Sequence, residues 1–171
     1  MDAADLAAAS IPPLLAATVE RLRESNAPME ALGELRRGRG IGSLRAAPAL
    51  HPAGHAWRLG VLLLAPDGRL FETGEVTRAI EPQVAVTNRS AAAERRRDFR
   101  RAAVRGHFPD GETINHGHIE LSLDVDSLRS GSGPLSIDGE TVLVRWSAHL
   151  GTRPLEAYLD DRARLLTEDW A

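Results

Sequence analysis

The chain has 171 residues and a mass of 18.5 kDa, is 43% hydrophobic and 26% charged, and carries a formal net charge of −3. That composition suits one folded domain with a continuous core, and it excludes a disordered acidic chain and a protein that holds polyanions by bulk positive charge. Cysteine and lysine are both absent, which removes disulfides, thiolate zinc clusters, a cysteine nucleophile and a lysine base from consideration.

The opening segment "MDAADLAAAS" is acidic, lacks a basic n-region and runs into Pro12 and Pro13, so it does not read as a secretory signal. The longest apolar run, Gly60 to Ala65, is far too short to span a bilayer. A cytoplasmic protein without a membrane partner is the expectation. From Ile11, apolar residues recur at Leu14, Leu15, Val19 and Leu22, which predicts an amphipathic helix with Ser10 as its N-cap and the prolines in its first turn. After "SNAP", the stretch Met29 to Arg37 predicts a shorter helix whose Leu32 and Leu35 pack on the same core. Residues 38–55 contain glycine and proline too often for a regular element and read as an irregular arm.

The period then changes. Trp57, Leu59, Val61 and Leu63 alternate with neighbours of mixed character, Pro66, Asp67 and Gly68 form a turn, and a second strand starts at Arg69. Similar Asp-Gly turns occur in "FPDGET" and "SIDGET", and the latter joins Leu135–Ile137 to Thr141–Trp146 as a hairpin. Between the hairpins, Ser90 to Gly106 is rich in alanine and arginine and predicts a helix, and a short helix is expected around Asp124 to Arg129. Following Pro154, the spacing of Leu155, Tyr158, Leu159, Arg162, Leu165 and Leu166 predicts a docking helix. The order points to a single α+β domain over residues 1–171, with hairpins in an antiparallel sheet packed against N-terminal, central and C-terminal helices. Its parts are a helical region at 1–37, the irregular arm at 38–55, and the sheet with central and C-terminal helices at 56–171.

Two constellations carry candidate chemistry. In "TINHGHIEL" and the residues after it, strand parity sets Ile119, Leu121 and Leu123 on an inner face and His116, His118, Glu120 and Ser122 on a solvated one. Histidines at i and i+2 on one strand face have Cα atoms roughly 6.6 Å apart, close enough to share a zinc ion. Glu120 would then act as ligand or general base, and His51 or His55 would complete the shell. The leading reading is simply a wet strand face, with no cofactor. The second constellation is "SAAAERRRDFRRAAVRG", in which Arg95, Arg96, Arg97, Arg100, Arg101 and Arg105 stand against Glu94 and Asp98. Such a helix can hold anionic groups, but no aromatic platform, zinc finger or helix-turn-helix pattern accompanies it, so nucleic acid is not the expected partner. Gly38, Gly40 and Gly42 have neither a preceding strand nor a P-loop lysine, and "SGSGP" at Ser130 to Pro134 lacks the nucleophile-elbow spacing.

Taken together, "HAWRLGVLLLAPDGRLFETGEVTRAIEP", "ERRRDFRRAAVRGHFPDGETIN" and "VRWS" resemble a group of small actinobacterial proteins of unknown mechanism, some labelled glutaminase. The resemblance covers the middle two thirds of the chain and implies an amide hydrolase as the alternative function. Members of that group tend to read Asn-Phe-Asp where this chain has Asn115, His116 and Gly117. From the residues themselves the leading expectation is a non-catalytic binding or interaction domain for a small molecule or a protein. Its recognition surface would combine the polar strand face with Arg96, Arg97, Arg100 and Arg101 of the basic helix.

Overall fold

The computed structural model describes residues 2–38, 46–82, 90–147 and 151–168. They form an α+β fold of four helices and ten strands, gathered into two compact units. The first comprises residues 1–29, 56–72 and 119–171, and the second 30–55 and 73–118. Among the described residues, no helix is long and apolar enough to cross a membrane.

In the first unit, helix α1 (Ala3–Glu24) starts well before Ser10. Its N-cap is Asp2, whose carboxylate accepts from the Asp5 backbone N–H at 2.9 Å while Asp5 accepts from the Asp2 N–H at 2.7 Å. This reciprocal capping box and the alanines that follow nucleate the helix upstream of the prolines. Pro12 and Pro13 therefore lie inside it, on an exposed face, and the Ser10 hydroxyl donates to the Ala7 carbonyl at 2.7 Å. The stripe Ala7, Ile11, Leu15, Val19 and Leu22 is buried.

Strand β2 (Ala49–Leu59) contributes its last residues to this unit and its first seven to the other. Of the irregular arm expected over residues 38–55 it corrects residues 49–55, where Pro52 and Gly54 sit in the exposed part of an extended strand; residues 39–45 of that span lie outside the described residues. Instead of running on through Leu63, the chain reverses at Gly60, whose φ of 67° suits a residue without Cβ. Strand β3 (Leu62–Leu64) then pairs back with Trp57 opposite Leu64. The hairpin expected at Pro66–Gly68 does form, leading into β4 (Leu70–Glu72).

The helix expected over Met29–Arg37 is instead strand β1 (Glu30–Arg36) of the second unit. The helix-forming residues of "EALGELR" lose to tertiary pairing, and Leu35 ends 50% exposed rather than in a core. Gly33 marks why: a Cβ there would approach Ile114 Cγ2 to 2.8 Å, so the glycine admits the neighbouring strand at close range. That neighbour is β6 (Thr113–His116), which runs parallel to β1, with Ala31 opposite Ile114 and Gly33 opposite His116. Antiparallel pairing throughout was the expectation; a parallel pair between residues about eighty positions apart leaves no local turn to read. On its other side β6 pairs antiparallel with β5 (Glu75–Arg78), giving the ladder order β5-β6-β1-β2.

Helix α2 (Ala91–Arg105) packs on this ladder. Its bounds match the sequence reading: Ser90 caps it by accepting from the Ala93 N–H, and Gly106 ends it. A Cβ on Gly106 would lie 1.6 Å from the Leu50 carbonyl oxygen, so only glycine fits. Ala31, Leu50, Ala79, Ala102, Ala103, Phe108 and Ile114 make the core beneath the helix.

The first unit is completed by β7 (Ile119–Glu120), which pairs with β4, and by the short helix α3 (Val125–Ser130). A three-stranded sheet follows, made of β8 (Leu135–Asp138), β9 (Thr141–Ser147) and β10 (Gly151–Pro154), with the β8–β9 hairpin as expected. Helix α4 (Leu155–Glu168) packs against α1. Its Tyr158 hydroxyl donates to the Leu59 carbonyl at 3.0 Å and accepts from the Val61 N–H at 2.9 Å, closing the Gly60 reversal.

Candidate functional site

The segment Thr113 to Leu123 does not behave as one strand. β6 is an inner strand flanked by β5 and β1 and covered by α2, so His116 is only 4% exposed and Asn115 is fully buried. The placement of His116 on a solvated face is thereby corrected. The alternation also breaks at Gly117, whose φ is 67°, and Ile119 emerges 62% exposed where parity had put it inside. A period of two holds only while the backbone stays extended. Leu121 is buried and Leu123 half-buried, as parity had them.

The His116 ring stacks on Phe99 of α2, centroids 4.0 Å apart at an interplanar angle of 24°. Burial pushes its pKa down; Glu75, its cross-strand partner in β5, pulls it up, and nearby His118 pushes it down again. His118 is half-buried beyond the end of β6. His51 and His55 are exposed on β2, and His55 Nε2 stands 3.6 Å from Glu112 Oε1. Glu120 is exposed on β7 in the first unit, 3.7 Å from an Arg69 nitrogen. The structure brings His116 near His118 but does not gather His51, His55 or Glu120 with them. Among the described residues, no group of three or more histidine, aspartate or glutamate side chains is placed to hold a metal ion. The glycine loop of Gly40 and Gly42 lies outside the described residues.

The arginines of α2 separate by helical face. Arg101 pairs with Asp98 at 3.4 Å, and Arg105 donates to the Pro48 carbonyl at 2.8 Å. Arg97 is buried on the side of Ile80, Glu81 and Pro82. Arg96 and Arg100, one turn apart and both exposed, look onto β5. Between α2 and β5 a cleft of about 250 Å³ is lined by Glu75, Thr77, Arg78, Arg96, Arg100 and His116, with Phe99 in its wall. A second lobe of about 570 Å³, lined by Ile80, Glu81, Pro82, Ala93 and Arg97, shares Arg96 and Arg100. Among the described residues, neither Arg78 nor Arg96 nor Arg100 has a carboxylate partner; Arg96 Nε donates to the Ala92 carbonyl at 3.3 Å. Glu75 is the one carboxylate of the smaller lobe and Glu81 that of the larger. Arg96 and Arg100 thus line both lobes, each of which has a single acid in its lining.

Arg96, Arg97 and Arg100 are legible in the sequence as a basic cluster, whereas Glu75, Thr77 and Arg78 carry no such signal. Nothing local announces that β5 lies beside α2, because register between distant elements has no short-range signature. Phe99, the lone aromatic residue of α2, was the available hint. No family model, curated protein or solved structure matches the chain.

Proposed function

We propose that this protein is a binding domain that recognises an anionic small molecule in the cleft between α2 and β5. The observation that carries the reading is the pair Arg96 and Arg100, exposed one turn apart on α2, lining one cleft and lacking carboxylate partners among the described residues. Surface arginines in folded proteins commonly sit beside carboxylates, as Arg21, Arg23, Arg69 and Arg129 do here. Two left unneutralised beside a concave surface form a positive potential that an anion relieves through charge-assisted, bidentate hydrogen bonds. The neutral, stacked His116 at the floor supports the same reading: a buried imidazole in that state offers a donor or an acceptor without adding charge.

Calorimetric titration with inorganic pyrophosphate tests this. Binding is expected to weaken about tenfold in Arg100→Ala, the loss of one charge-assisted hydrogen bond, and similarly in Arg96→Ala. It should also weaken as salt rises from about 50 to about 500 mM, because these groups are solvent-facing. Absence of pyrophosphate binding, or binding indifferent to both variants, overturns the proposal. Turnover of glutamine lost in His116→Ala would replace it with the amide hydrolase that the sequence resemblance implies.

A further inference from the structure

The first unit offers a useful contrast for deciding what kind of anion the arginine cleft takes. Between α1, the Pro66–Gly68 turn and β7 lies a depression of about 540 Å³ whose rim carries Glu20, Arg23, Asp67, Arg69 and Glu120. There the charges already satisfy one another, Arg23 with Glu20 at 2.9 Å and Arg69 with Asp67 at 2.8 Å. With three carboxylates against two arginines, that rim offers an anion no excess positive charge. In the α2–β5 cleft Arg96 and Arg100 have no such partners among the described residues, and the carboxylate Glu75 lines the same lobe without an ion pair of its own among them.

An ionised carboxylate accepts hydrogen bonds and donates none, so Glu75 repels a second anionic group and calls for hydroxyl or amine donors. Thr77 is two residues along the same strand and therefore on the same face. It adds a hydroxyl to the same lobe, which is walled by the Phe99 ring. Arg96 and Arg100 line both lobes and so mark the place where the ligand's charge sits. At ~30 Å³ per water-sized group, a lobe of about 250 Å³ takes about eight such groups, room for a compact polyol or a single sugar ring.

We infer, on the basis of the anion-binding reading above, that the ligand is a phosphomonoester of a compact polyol or sugar, its phosphate held by Arg96 and Arg100 and its hydroxyl groups by Glu75 and Thr77. Phe99, one ring face of which is taken by His116, adds an apolar part of the wall for the C–H groups of such a ligand. No covalent step is involved; the site binds and orients.

The experiment is calorimetric titration of the full chain with glucose 6-phosphate, inorganic phosphate and glucose. Glucose 6-phosphate is expected to bind about tenfold tighter than inorganic phosphate, the equivalent of two neutral hydrogen bonds, and glucose alone to give no measurable heat. In Glu75→Gln and in Thr77→Val the preference for the sugar phosphate should shrink to about threefold or less, while the affinity for inorganic phosphate falls in neither. Valine preserves the strand, and Glu75 is exposed, so both variants keep the fold. Equal affinity for the two phosphates in the parent chain, or a preference untouched by both variants, overturns this inference and leaves the anion cleft standing. Failure of every phosphate compound to bind removes both.

Discussion

The two units of this chain bury different things. The first fills its core with large apolar side chains, among them Ile11, Leu22, Trp57, Leu62, Leu64 and Leu159. The second has a smaller core in which four of seven buried apolar residues are alanines. It also holds four of the five buried polar residues among those described, namely Thr77, Arg97, Asn115 and His116, against Thr18 alone in the first. Apolar burial contributes about 25 cal/mol per Å², so alanines bring the second unit less stabilisation per residue. Buried polar groups add little net stability, and they lose heavily if left unsatisfied. Polar groups are concentrated where the core is thin, and that same unit carries the arginine cleft. One unit is organised for stability, the other for presenting polar side chains.

This contrast can be broken most forcefully in the first unit. Trp57→Ala removes a buried indole and the hydrogen bond from its Nε1 to the Ala27 carbonyl at 3.0 Å. The expected loss is about 3–5 kcal/mol, measured by urea unfolding followed by circular dichroism; a loss below about 1 kcal/mol would deny the first unit its stabilising role. In the second unit, Gly106→Ala drives a methyl group into the Leu50 carbonyl. We expect about 3 kcal/mol of destabilisation. Hydrogen exchange should show it as faster exchange at β6 amides than in the parent chain, while amides of β3 and β9 change less; uniform loss over both units would blur the distinction.

A smaller effect comes from His116. Its pKa is lowered in the folded chain from an ordinary value near 6.5, chiefly by burial, so between the folded and unfolded values the unfolded chain binds more protons. Stability is therefore full above about pH 6.5, falls as the pH drops through the folded pKa, and levels off below it. In His116→Gln this part of the profile should flatten, whereas acid loss from carboxylates such as Asp67 and Asp124, whose pKa values are lowered by hydrogen bonds, lies at more acidic pH and persists. An unchanged profile just below pH 6.5 would show that the buried imidazole is not the group responsible. Smallest of all, Arg100→Ala should alter stability by no more than about 0.5 kcal/mol, which urea unfolding can verify. A larger loss would mean that the arginine serves the fold rather than a ligand.

What could be read from sequence follows from the range over which each signal acts. Ser90 and Gly106 bracket α2 through local capping, and Asp138–Gly139 sets the β8–β9 hairpin through local turn chemistry, so both were legible. Glu30–Arg36 was not, because a segment of helix formers becomes a strand only when β6, far along the chain, lies beside it. His116 was misplaced for a related reason: the parity of "TINHGHIEL" assumed a strand half exposed to water, while β6 is covered by α2 and its course ends at Gly117. The arginines of α2 were visible as a cluster. The cleft was not, since its other wall, Glu75 to Arg78, meets α2 only in three dimensions.

The most direct test of a stabilising unit beside a presenting one is an amide chemical-shift map of the isotope-labelled chain titrated with inorganic pyrophosphate. Amides of Val76, Thr77, Phe99 and Arg100 are expected to move in a saturable way while those of Leu64, Leu70 and Val144 stay put. Saturable shifts confined to the first unit, or none anywhere, would contradict that expectation.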